Sequence, residues 1–170
     1  MDLYISDASE VARVVKDNKS APIVLYCNGP FCGKSKRLSE ELLESGFTNV
    51  RRYQLGIPTW RALVGLTQVE AEGVEYVWEK DQTAVWIDAR DPGESSADPI
   101  PNARNLPLGD MSAAKSDGRL PMEDHNTRII VFGHDGAQAE TVAETIAQNA
   151  FHNVSYFAGP LETFRSATSR

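Results

Sequence analysis

Ile23-Val24-Leu25-Tyr26-Cys27 and Ile129-Ile130-Val131-Phe132-Gly133 are parallel stretches of one 170-residue chain, and their reading decides the fold. Short, continuous apolar runs of this kind suit strands of a parallel sheet, buried on both faces, rather than the alternating strands of a half-exposed sheet. Outward from each run the likeness continues. Phe47-Thr48-Asn49-Val50 parallels Phe151-His152-Asn153-Val154, and Trp60-Arg61-Ala62 parallels Phe164-Arg165-Ser166. Val50 precedes Trp60, and Val154 precedes Phe164, by the same ten residues; between the strand aromatic and the Phe-x-Asn-Val the first copy is two residues longer. The chain therefore repeats a strand, loop, helix, strand, helix scaffold, and the copies differ in the loop after the first strand.

Apolar residues at helical spacing place the helices. Leu38, Leu42 and Leu43 mark one, and Ala139, Val142, Ala143, Ile146 and Ala147 mark its counterpart. Gly46 sits where a helix ends in a left-handed residue. Asp7-x-x-Glu10 before Val11, Val14 and Val15 reads as a capped helix. A strand is expected at Ala84–Ile87, followed by a Pro/Gly/Ser-rich stretch to Pro107. Trp60 and Phe164 are read as core. The expected class is α/β, with parallel sheets flanked by helices in two modules: a shortened one over residues 1–66, a linker over 67–83, and a fuller one over 84–170.

Composition removes several functions. The chain is 41% apolar with 17 basic and 24 acidic side chains, a net charge of −7, which opposes nucleic-acid binding because phosphate contacts need a basic face. No apolar run reaches the 18 or so residues of a membrane span, and Met1 to Ser9 is acidic and polar, unlike a secretion signal, so a cytoplasmic protein without a membrane partner is expected. Two cysteines and the scattered His125, His134 and His152 do not complete a four-ligand metal site, and no cofactor is expected. The charge is uneven: residues 1–66 carry nine basic and seven acidic side chains, residues 67–170 eight and seventeen. Both cysteines fall in the basic part, beside Lys34, Lys36 and Arg37.

A buried strand ending in Tyr26-Cys27, a glycine-containing loop, a helix, then Gly46-Phe47-Thr48-Asn49-Val50 and Gly56-Ile57-Pro58-Thr59-Trp60 resembles the rhodanese family. The second copy is similar over more of its length: Val85-Trp86-Ile87-Asp88-Ala89-Arg90 looks like the family's opening strand with its Asp-x-Arg, and Ile100-Pro101-Asn102-Ala103-Arg104-Asn105-Leu106-Pro107 like its Ile-Pro-Gly-Ala-x-Asn-x-Pro segment. The resemblance implies a sulfurtransferase in which Cys27 accepts a sulfane sulfur as a persulfide and passes it to a thiol or a protein acceptor, from a small anionic donor. It also implies that Asn28, Gly29, Phe31, Gly33, Lys34 and Ser35 form an anion-binding loop, with Lys36 and Arg37 as electrostatic help. The chemistry agrees. A cysteine in a loop entering a helix faces unpaired N–H groups and the positive end of the helix dipole, which favour thiolate and anions. In the second copy Gly133 occupies the nucleophile's position, so no persulfide can form there and that copy is expected to be silent. The loop from Cys27 runs two residues longer than the family's and carries a possible second thiol, Cys32.

The same residues admit other readings. Gly33-Lys34-Ser35 suggests a phosphate-binding loop, but that pattern needs glycine where Asn28 stands. Phosphatase chemistry needs an arginine six residues after Cys27, where Gly33 stands. Pro30-Phe31-Cys32-Gly33-Lys34-Ser35 resembles the Pro-x-Cys-Gly-x-Ser of monothiol glutaredoxins, which makes a thiol redox protein using Cys32 an alternative; a silent, rhodanese-like binding module is another. Cys32 is expected either to resolve a Cys27 persulfide or to form a disulfide with Cys27.

Overall fold

The computed structural model describes residues 7–169. Residues 1–6, the start of the expected first module and most of the stretch read against a secretion signal, lie outside them. The chain divides between Leu63 and Val64 into two compact units.

The N-terminal unit runs α1 (Ala8–Val14), β1 (Ile23–Tyr26), α2 (Lys34–Glu44), β2 (Val50–Tyr53) and α3 (Gly56–Ala62). Asp7 caps α1 by accepting the Ser9 N–H at 2.7 Å, as its position before the valines implies. α2 ends at Glu44, and Gly46 follows with φ +86°, the left-handed conformation that costs glycine least. β1 and β2 pair in parallel as a two-stranded sheet, Ile23 opposite Val50 and Tyr26 opposite Tyr53. Its core is small: Val11, Ile23, Leu38, Leu42 and Phe47. Leu43, expected on the buried face of α2, is exposed, because among the described residues the helix covers a sheet of two strands and one stripe of side chains suffices.

The C-terminal unit runs β3 (Thr67–Val69), α4 (Ala71–Lys80), β4 (Val85–Asp88), α5 (Pro92–Ala97), β5 (Ala103–Asn105), a 3-10 turn (Leu108–Asp110), α6 (Met111–Ala114), β6 (Ile129–Phe132), α7 (Gly136–Gln148), β7 (Val154–Phe157) and α8 (Leu161–Thr168). Its sheet is five-stranded and parallel, in the order β3-β7-β6-β4-β5. The stretch expected as a linker is part of this unit: β3 pairs with β7, and Val74 and Val77 of α4 enter the core with Trp86, Ile130, Phe132, Phe157 and Phe164. Gly73 permits the approach of α4 to β3, since a Cβ there would lie 2.8 Å from the Val69 side chain. On the other face, Ala139, Val142, Ala143, Ile146 and Ala147 of α7 all pack onto the sheet, as their spacing predicts.

The strand pairs β1–β2 and β6–β7 share a register. Ile129 faces Val154 as Ile23 faces Val50, and the Ile129 N–H donates to the Asn153 carbonyl at 2.9 Å as Ile23 donates to Asn49 at 3.0 Å. Burial differs. β6 is buried along its whole length between β4 and β7, whereas β1, with β2 as its one partner strand among the described residues, leaves Val24 62% exposed and Tyr26 exposed. The expectation that both runs are buried on two faces holds for β6 alone. Likewise Phe164 is fully buried but Trp60 is 43% exposed, because no counterpart of α4 covers it among the described residues of its unit.

Candidate functional site

Residues 27–33 connect β1 to α2, whereas 133–135 suffice to connect β6 to α7. The extra length comes partly from the loop and partly from a shorter helix: α2 has 11 residues and α7 has 13. Within the longer loop the Cys32 N–H donates to the Gly29 carbonyl at 3.1 Å, closing a turn with Pro30 at its second position, where the ring already holds φ near the required value. The turn brings Cys32 back to Cys27, with Cα atoms 6.0 Å apart, and the two sulfurs are joined in a disulfide. Both cysteines are half-buried, and Phe31 at the tip of the turn is fully exposed.

The floor of the loop comes from the segment after β2. Gly56, φ +74°, opens α3, and the next N–H, of Ile57, donates to the Cys27 carbonyl at 3.0 Å. A Cβ on Gly56 would lie 2.5 Å from the Cys27 carbonyl oxygen and would also overlap the Gly29 backbone. Glycine is required twice over at this position, for conformation and for space. In the sequence Gly56 is legible only within Gly56-Ile57-Pro58-Thr59-Trp60, as a glycine after a strand and before Ile-Pro. Beside it, Tyr53 and Trp60 meet edge to face at 5.9 Å. The Tyr53 hydroxyl and Arg52 Nε are buried with no hydrogen-bond partner among the described residues. In the sequence Arg52 stands out only as one of the basic residues between Cys32 and Tyr53, and nothing marks Tyr53 itself.

α2 begins without a side-chain cap and without an acidic residue in its first turn, and Gly33 stands at its N-cap position. Lys34, Lys36 and Arg37 crowd the positive end of the helix dipole, an arrangement that disfavours the isolated helix and favours an anion. Lys36 and Arg37 point along the surface, paired with Glu40 at 3.9 Å and Glu41 at 3.4 Å, so their contribution to an anion site is a small, screened one. Ser35 is buried on the helix, while Asn28 and Lys34 are exposed.

The corresponding place in the C-terminal unit is filled by its own side chains. Asp135 caps α7, accepting the Gln138 N–H at 2.9 Å, and Gln138 Oε1 accepts the His134 N–H at 2.9 Å. A Cβ on Gly133 would lie 2.6 Å from Gln138 Oε1. His134 Nε2 lies 2.6 Å from Glu94 Oε2 at the surface. The donors that would cradle an anion are thus already occupied, one of them by a carboxylate. The Asp-x-Arg of this unit is structural. Arg90 donates through Nε to Asp88 Oδ1 at 2.9 Å and through a terminal nitrogen to Oδ2 at 2.6 Å, both side chains buried, and it also reaches the Asp98 carbonyl at 3.0 Å. The Asp88 carboxylate raises the Arg90 pKa further above its already high value. Asn105 completes the joint by donating to the Asp88 and Arg90 carbonyls. Among the described residues no group of His, Cys, Asp or Glu is placed to hold a metal ion, and no helix is long and apolar enough to cross a membrane.

A parallel α/β sheet in this strand order, with a buried Asp-x-Arg at the end of β4 and a helix entered from the end of β6, defines the class. Residues 74–167 match the rhodanese-like domain, and the chain belongs to that family. The match begins inside α4 and lies wholly in the C-terminal unit, so Cys27 and Cys32 fall outside it. Among solved structures, an uncharacterized protein from Saccharomyces cerevisiae superposes with a TM-score of 0.51 at 20% identity, over 61% of this chain and 94% of its own. A Rhodopseudomonas palustris protein of unknown function, described as a possible tyrosine phosphatase, does so with 0.51 at 18% identity, over 66% of this chain and 90% of its own. The Alr3790 protein from Anabaena gives 0.50 at 21%, over 58% and 76%. At these identities the likeness is one of fold. No curated protein matches the chain.

Proposed function

We propose that the chain is a sulfurtransferase that carries sulfane sulfur on Cys27, with a silent second module. The observation that supports this most is the repeat: the matched register of β1–β2 and β6–β7 puts Cys27 at the loop position that Gly133 occupies in the family-matched unit. The Cys27 thiolate, released from its disulfide by reduction, attacks the sulfane sulfur of a small anion. With thiosulfate, the sulfur–sulfur bond of the donor breaks, sulfite leaves with the electron pair, and Cys27 becomes a persulfide anion. A thiophile, such as a small thiol, a protein thiol or cyanide in an assay, then takes the outer sulfur and returns the thiolate. Backbone N–H groups between Asn28 and Lys34 other than that of Cys32, at the start of α2 without a side-chain cap, would hold the donor and the persulfide anion.

The disulfide favours a second reading, thiol–disulfide exchange in which Cys32 acts without any sulfane sulfur. Thiocyanate formation from thiosulfate, or transfer from mercaptopyruvate, by reduced wild type, Cys27→Ser and Cys32→Ser separates the two. The sulfurtransferase reading predicts loss of transfer to background in Cys27→Ser alone. Absence of transfer in all three with either donor, alongside reduction of a small disulfide by the wild type, contradicts it.

A further inference from the structure

We infer that Cys32 is the resolving thiol of this site, so that the persulfide on Cys27 is discharged within the loop as hydrosulfide and the resulting disulfide is reopened by an external dithiol. This rests on the sulfurtransferase reading and adds to it the fate of the sulfur and the class of the co-reactant. The observation is the loop itself. Its additional residues, compared with 133–135, form the turn over Gly29-Pro30-Phe31-Cys32 that returns the second sulfur to bonding distance of the first. The turn is fixed at both ends. Its own hydrogen bond holds Cys32 to Gly29, and Gly56 and Ile57 hold the Cys27–Gly29 backbone from below. Cys32 also lies two residues before the 11-residue α2, at the positive end of its dipole, which favours the attacking thiolate.

The step balances without an oxidant. The Cys32 thiolate attacks Cys27 Sγ, the bond from Sγ to the outer sulfur breaks, and that sulfur leaves with the electron pair and takes up one proton as HS⁻. The sulfane sulfur is reduced by two electrons and the two cysteines are oxidised to the disulfide. A dithiol then exchanges with the disulfide and is itself oxidised, regenerating both thiols. Because the attacking sulfur is tethered beside its target, discharge in the loop outruns transfer to a dilute monothiol.

The test is a single turnover. Fully reduced protein is cleared of reductant and then given one equivalent of thiosulfate. Hydrosulfide is then measured with a trapping reagent, while alkylation and mass spectrometry follow both cysteines. Wild type is expected to release about one hydrosulfide per chain with loss of both free thiols. Cys32→Ser is expected to keep the persulfide on Cys27 and release hydrosulfide on the order of tenfold more slowly or less, until a dithiol is added. Discharge by Cys32→Ser at the wild-type rate, or a wild-type protein that keeps both its persulfide and a free Cys32, overturns the resolving role while leaving the sulfurtransferase reading intact. Absence of any persulfide on Cys27 in Cys32→Ser overturns both.

Discussion

β1 and β6 are near-copies in sequence and in register, yet one strand is half in water and the other is the centre of a sheet. Val24 and Ile130 occupy the same register position, 62% and 1% exposed. What separates them is not the strand but its neighbours. β6 has β4 on its free edge and α4 over one face, and β4 is anchored by the buried Asp88–Arg90 pair. The loops after the strands differ in the opposite sense. In the well-packed unit the donors at the helix start are satisfied by Asp135 and Gln138; in the sparse unit α2 is uncapped and the space is given to two cysteines.

Removing the anchor of the fuller unit is expected to have the largest effect. Arg90→Ala leaves the Asp88 carboxylate buried and unpaired and should cost about 3–5 kcal/mol, read as loss of amide-exchange protection in β4, β5 and β6. The matched pair Ile130→Ala and Val24→Ala tests the comparison itself. The first removes a fully buried side chain and should cost about 2–5 kcal/mol; the second should stay within about 0.5 kcal/mol. Equal costs in a denaturant titration would show that β1 is as enclosed as β6. Gly56→Ala forces a left-handed alanine, about 1–2 kcal/mol, and presses on the Cys27 backbone. Slowed closure of the Cys27–Cys32 disulfide, with β6 unaffected, is the expected signature. Asp135→Ala uncaps α7 for about 1 kcal/mol, and it is not expected to confer sulfur transfer, because Gly133 supplies no nucleophile.

Sequence periodicity reads whatever depends on one element at a time. The buried face of α7, the Asp7 cap and the Gly46 stop follow from spacing and side-chain chemistry, and the repeat follows from identity of order. Features that depend on a neighbour are not legible in this way. The run Ile23–Tyr26 cannot declare how many strands flank it, so the exposure of Val24, Tyr26 and Trp60 is visible only in the sheet. β3 is three residues, Thr67-Gln68-Val69, with too little pattern to register as a strand; its pairing with β7 makes it one. α4 carries Val74, Val77 and Trp78 at helical spacing, but Gly73 disguises its start, and that glycine is there for its contact with Val69. Of the site, the position of Cys27 after a strand and the nearness in sequence of Cys32 were legible. So was a disulfide between them, as one of two expectations for Cys32; the burial of Arg52 Nε and the Tyr53 hydroxyl and the fit of Gly56 under the loop required the chain to be folded.

The central claim is that the working loop is the one after β1 and that the loop after β6 is silent. Mass spectrometry of the reduced protein after incubation with thiosulfate or mercaptopyruvate, with the sulfane sulfur mapped to a peptide, tests it most directly. The account predicts a gain of one sulfur atom on Cys27 in Cys32→Ser, where no second thiol discharges it, and none in Cys27→Ser. Sulfur carried on Cys32 with Cys27 free in the wild type, or no gain with either donor in Cys32→Ser, would contradict it.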